Sequence, residues 1–232
     1  MTYRTICNRC ERYALIGHAN RRWYRVARAV ILRLSQKNQT DYYRAGNIML
    51  PDNLLCDLVA ITSPRCFVKR NLLLAWGEFT GQPRPSDMIR STRVALDHYY
   101  ATGTIRGAKT SRFAKVLRGD DSVVVVDTWM ARALGVRDKQ ARNKSTQELA
   151  ERVIGTVQRR LCFSHGVYTR PLPEPGLCSV LVVRWPLAEV QAAVWAGMIR
   201  TYYKNGKIPM YRTEDVGLYR TGPNGTLSDV PF

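Results

Sequence analysis

Acidic residues are scarce in this sequence. Only 18 Asp and Glu face 36 Lys and Arg, a formal charge of +18 at pH 7. Such an excess repels itself in a compact chain unless a polyanion neutralises it, and nucleic acid is the commonest polyanion that proteins meet. Nucleic acid is therefore the expected partner. Long apolar runs are missing too: none approaches the roughly 20 residues of a membrane span, so no membrane partner is expected. The start, "MTYRTICNRCERYALIG", has no extended apolar stretch of the secretory kind. That places the chain in a cytoplasm (a host cytoplasm if it is viral), with its six cysteines reduced. There is no internal repeat, no low-complexity tract, no P-loop, no HExxH and no GxSxG. Nucleotide hydrolysis on a phosphate loop and HExxH-type zinc proteolysis thereby lose their usual signatures.

What is present is mostly helical patterning. The stretch "ANRRWYRVARAVILRLSQKN" sets Trp23, Val26, Ala27, Val30, Ile31 and Leu34 on one stripe, with arginines opposite. Ten basic residues fall in the first fifty positions, against Glu11 and Asp41 alone. Arg21, Arg22 and Arg25 of this segment suit phosphate contacts, because guanidinium forks match phosphate oxygens. Further helices are expected at 51–63, at 63–81 with Ser63 and Pro64 in the first turn, and at 86–100. A short one should follow at 109–117, then one opening near Asp127. "STQELAERVIGTVQRRLCF" begins with a capping-box pattern, Ser145 or Thr146 ahead of Glu148. "GVYTRPLPEPG" reads as a loop, and "LCSVLVVRW" as a short strand or buried extended run. "PLAEVQAAVWAGMIRTYYKNG" is a clear helix closed by Gly206. The expected organisation is a basic N-terminal helical extension over 1–45, a helical domain over 46–210 and a tail over 211–232.

"GAKTSRFAKVLRGDDSVVVVDTW" carries the sharpest signal. Gly107-Ala108-Lys109-Thr110 forms a tight turn between two helices, and glycine there lets backbone N–H groups approach a phosphate. Arg106 and Arg112 flank the turn. Asp127 follows Lys109 by eighteen positions, after a valine run that is core in any fold. The intervening helix could return both side chains to one mouth. An N-cap role would also account for Asp127, and a phosphate contact would account for Lys109.

This arrangement resembles the helix-hairpin-helix DNA glycosylases, in particular the endonuclease III branch and its compact bacteriophage-type members. "GAKT", "VVVVDTW" and "MARALGV" carry the likeness over roughly residues 52–136. Ile105 replaces a hairpin glycine, Trp129 replaces a histidine, and Arg65 stands where a glutamine would. The branch's four-cysteine iron–sulfur motif has no counterpart. The resemblance implies a mainly α fold of that type and cleavage of an N-glycosidic bond in DNA. It assigns Lys109 the role of nucleophile, forming a Schiff base, with AP-lyase activity as a consequence. Asp127 is the carboxylate that offsets charge on the sugar. A flipped base leaves a hole, for which Arg65, Tyr99 and Tyr100 are wedge or stacking candidates. Two alternatives stay open: a non-catalytic phage DNA-binding protein, and a base-modifying enzyme on the same fold. No cofactor is expected. Cys7 and Cys10, with His18 nearby, are half of a zinc site at most, since a structural site needs four ligands.

Overall fold

A computed structural model of the chain describes residues 1–44, 53–64, 66, 68–141, 143–165 and 185–202. Among them it is all helical, with nine α-helices and no strand. Arg65, the loop at 166–176, all of "LCSVLVVRW" but Trp185, and the tail at 211–232 lie outside the described residues. No described helix is long and apolar enough to cross a membrane. Contacts divide the chain into two compact units. One comprises Met1–Arg22 and the described part of Asp121–Lys204; the other contains Trp23–Asp120.

The first unit is built around its last helix. α9 (Leu187–Tyr202) is buried without a break from Ala188 to Ile199, Glu189 and Gln191 included, as expected of a helix that is apolar over most of its surface. Three helices surround it: α1 (Tyr3–Ile16), α7 (Thr128–Leu134) and α8 (Lys144–His165). A 3-10 turn, His18–Asn20, also packs on it. α1 buries Ile6, Cys7, Cys10, Tyr13 and Ala14. The buried run Val124–Val126 leads into α7.

The second unit has α3 (Leu54–Thr62) at its centre, in contact with α2 (Trp23–Arg44), α4 (Val68–Phe79), α5 (Arg90–Thr102) and α6 (Ala108–Leu117). Every residue of α3 from Leu55 to Thr62 is buried. On α2 the buried stripe is Tyr24, Ala27, Ile31, Leu34 and Ser35. Trp23 and Tyr24 meet Phe113 of α6 at centroid distances of 6.3 and 6.0 Å.

Three helix starts differ from the sequence reading, each for a local reason. Ser63 closes α3 rather than opening the next helix: its hydroxyl donates to the Ala60 carbonyl at 2.8 Å. Ser86 belongs to a turn before α5. There the Met88 N–H donates to the Pro85 carbonyl at 3.1 Å, and the Arg93 guanidinium donates to the Pro85, Ser86 and Met88 carbonyls. α8 begins at Lys144, so Ser145 and Thr146 sit inside its first turn; the Thr146 and Gln147 N–H groups donate to the Asn143 carbonyl.

Candidate functional site

Two local structures carry the residues singled out by the sequence, one in each unit. In the second unit, α5 ends at Gly103, whose φ of +67° is left-handed and whose N–H donates to the Tyr99 carbonyl at 2.7 Å. Thr102 and Thr104 then organise the turn: their hydroxyls lie 2.8 Å apart, and the Thr104 N–H donates to the Thr102 hydroxyl. The Nε2 atom of His98 stands 3.0 Å from the Thr104 hydroxyl. Gly107 begins α6 with φ +89° and ψ 130°, a backbone shape that other residues rarely adopt. Being glycine, it offers no side-chain cap to the first N–H groups of the helix. Ala108, Lys109 and Thr110 form that first turn, and a bare helix N-terminus favours an anion. Arg106 and Lys115 are exposed, whereas Lys109 and Arg112 are partly so; Phe113, Ala114, Val116 and Leu117 face the core. α6 is thus a basic amphipathic helix with its basic side outward.

An acid that the sequence analysis passed over holds this hairpin in place. Asp57, in the otherwise apolar α3, is only 3% exposed. Arg118, just past α6, grips it with a fork: Nε donates to Oδ1 at 2.7 Å and Nη2 donates to Oδ2. Tyr99 of α5 donates its hydroxyl to Oδ2 at 2.6 Å. One carboxylate therefore ties both arms of the hairpin to α3. The readable signal was a lone acid inside "LLCDLVAIT", since a buried charge needs a partner. Burial, then the bond to Asp57, pushes the Tyr99 hydroxyl well above the usual tyrosine range. Tyr99 is thereby committed to the scaffold, while Tyr100 is 51% exposed. Asp57→Asn should lower stability by about 2 kcal/mol, because the fork loses its anionic partner while Arg118 can still turn to water. A urea titration followed by circular dichroism measures this.

In the first unit, Asp127 caps α7. Its Oδ1 accepts the Met130 N–H at 2.8 Å, and its Oδ2 accepts the indole N–H of Trp195 at 3.0 Å. The carboxylate is half-buried. Gly135 ends α7 in the left-handed region, and the guanidinium of Arg9 lies against it. The arginines of the early segment fall into different settings. Arg21 donates to the His18 carbonyl, lies 5.3 Å from the Trp185 ring and stands 3.8 Å from Glu189. Arg22 and Arg25 are exposed. Glu78 and Asp97 both bind Arg84, at 2.7 and 2.5 Å.

Cys7 and Cys10 are fully buried in α1, and the Cys10 thiol donates to the Ala133 carbonyl. No group of three or more His, Cys, Asp or Glu stands together among the described residues. Burial raises the Cys10 thiol to about 12 and that of Cys56 to about 11. Both should resist a disulfide reagent at pH 8 until denaturant is added, since the reactive thiolate is suppressed. Fast labelling of either in the native chain would contradict that burial.

The model of a family described as a family of unknown function, DUF7178, matches residues 14–159, more than half of the sequence. The chain belongs to the DUF7178 family. The DUF7178 match takes in the whole α5–α6 hairpin, Asp57, Arg118 and Asp127. It ends within α8, before α9. No curated protein and no solved structure matches this chain.

Proposed function

We propose that this DUF7178 chain binds double-stranded DNA through the α5–α6 hairpin and excises a base by cleaving its N-glycosidic bond. The fold proposed for it is of the helix-hairpin-helix glycosylase type, with the arginines of the first 45 residues adding phosphate contacts. The observation that carries the reading is the start of α6. A positive-φ glycine leaves the helix N-terminus without a side-chain cap, with Lys109 in its first turn and Arg106 exposed beside it. In the proposed reaction the Lys109 amine attacks the anomeric carbon, the bond to the base breaks, and the base leaves protonated. The sugar opens to a Schiff base on the lysine, from which loss of a proton beside the imine carbon expels the 3′ phosphate. The resemblance gives Asp127 the part of the carboxylate that offsets positive charge developing on the sugar.

A second reading, DNA binding without chemistry, draws support from Asp127 itself. The cap to Met130 and the bond from Trp195 account for that residue with no catalytic role. Borohydride trapping separates the two. On duplexes carrying abasic sites or modified bases, the wild type should form a covalent adduct, and Lys109→Gln should lose it while still binding DNA. Affinity in both should fall steeply between low and physiological salt, as several phosphates are neutralised. Salt-dependent binding with no adduct would leave the binding module alone. Binding that is flat in salt would remove DNA as the partner.

A further inference from the structure

One cluster in the first unit has no part in the core. Trp129 in the first turn of α7, Arg132 one turn later and Tyr202 at the end of α9 form an aromatic–guanidinium group. The Trp129 and Tyr202 rings meet nearly edge to face, with centroids 5.6 Å apart and planes at 73°. The Arg132 guanidinium carbon lies 4.8 Å from the Trp129 ring and 5.9 Å from that of Tyr202. Such contacts hold a guanidinium and rings in a fixed arrangement. Yet Tyr202 is 62% exposed, the most of any described aromatic. The continuous burial of α9 stops at Ile199, so this ring lies past the buried part of the helix.

We propose that this cluster is a stacking site for an unpaired nucleobase. The base would stack on the exposed Tyr202 ring, which Trp129 braces edge to face, and Arg132 would meet the phosphate beside it. The chemistry selects this ligand. Aromatic faces are what an unstacked base seeks, and a cation among them suits the phosphate that every base carries with it. An acidic peptide would use the cation but not the rings; an apolar one would use the rings but gain nothing from the cation. A chain with a charge of +18 also draws polyanions to its surface. The inference rests on the nucleic-acid reading above and adds to it the element that holds a base out of its stack. Asp127 lies two residues before Trp129 in the sequence and caps the helix that carries it.

The test compares two fluorescent strands of equal length, oligothymidylate and a strand of abasic tetrahydrofuran nucleotides, by anisotropy with the full chain. The phosphates are the same; only the bases differ. The wild type should bind the base-bearing strand about tenfold more tightly, the size of one good stacking contact. Tyr202→Ala should bring the two strands within about twofold by weakening the base-bearing one alone, while Tyr202→Phe should keep the preference, because a phenyl face stacks as well. Circular dichroism confirms that both variants are folded, as expected at so exposed a position. Equal binding of the two strands by the wild type would overturn the proposal, and so would a preference that survives in Tyr202→Ala. If duplex and abasic strand bind in a salt-dependent way with no preference for bases, stacking alone falls. If no strand and no duplex binds, the DNA reading falls and the platform with it.

Discussion

Gly197→Ala should cost the protein its first unit. A Cβ at Gly197 would stand 1.9 Å from the carbonyl oxygen of Tyr13 and 2.7 Å from its carbon. The opposing position is as tight: a Cβ at Gly17 would lie 1.9 Å from the Ala193 oxygen and 2.5 Å from the Gly197 nitrogen. All four atoms are backbone, so no rotamer can give way. α1 and α9 must instead move apart, which opens the packing of α1 against a helix buried along twelve consecutive residues. Overpacking that no side chain can relieve belongs at the upper end of its range, about 3 kcal/mol, a large share of an ordinary domain's stability. The urea midpoint measures it. Gly155→Ala is the control: it lies in the interior of α8, where a Cβ would meet only the Arg159 guanidinium at 3.9 Å, an ordinary contact. That change should be neutral or slightly stabilising, because alanine is the better helix former. Equal midpoints for Gly197→Ala and the wild type would mean that the two helices do not cross this closely in solution.

That crossing explains what could be read from the sequence and what could not. Local signals survived well. α6 was expected at 109–117 and runs from Ala108 to Leu117; Asp127 was expected near a helix start and caps one. Both rest on a glycine, a cap or a periodic stripe within a few residues. The misplaced starts at Ser63 and Ser86 were also local, but there the same residue types serve either end of a helix or a turn, and the neighbouring chain decides which. Long-range pairing left no such trace. The Arg200 guanidinium donates to the Ile16 carbonyl across 184 positions, and Arg118 reaches Asp57 across 61. Periodicity says that α1 and α9 each have an apolar side, but not that two glycines bring their backbones together.

The hairpin shows the same division. Its turn was legible because Gly107 has a backbone requirement that glycine alone meets easily. Its support was not, since Asp57 looks like any helical acid until Tyr99 and Arg118 are seen to converge on it. The consequence for function is a rigid turn. Both arms are tied to one buried carboxylate, so the N-terminus of α6 is presented in a fixed pose, and fixed donors bind an anion without first having to be ordered.

On the proposed reaction, base release should fall by about a thousandfold when the charge of Asp127 is removed without disturbing its bonds, the scale of losing one preorganised electrostatic contact. The simple substitution does not achieve this. Both oxygens accept a hydrogen bond, one from Met130 and one from Trp195. Asparagine has a single acceptor, so in Asp127→Asn either the helix N–H or the indole N–H faces an amide donor. Trp195 is buried, and stranding its N–H costs about 1–3 kcal/mol. Lost activity in that variant would therefore confuse chemistry with folding. Trp195→Phe removes the competing donor, and asparagine then caps α7 with its one oxygen, a role it fills as well as aspartate does. The informative comparison is the double variant against Trp195→Phe alone. Single-turnover release should be measured on whichever substrate gives a borohydride adduct with the wild type. Duplex affinity should stay within about threefold, since phosphate contacts carry it. If the double variant releases base as fast as Trp195→Phe, Asp127 is a helix cap and nothing more. The hairpin would then stand as a DNA-binding element without a catalytic carboxylate at Asp127.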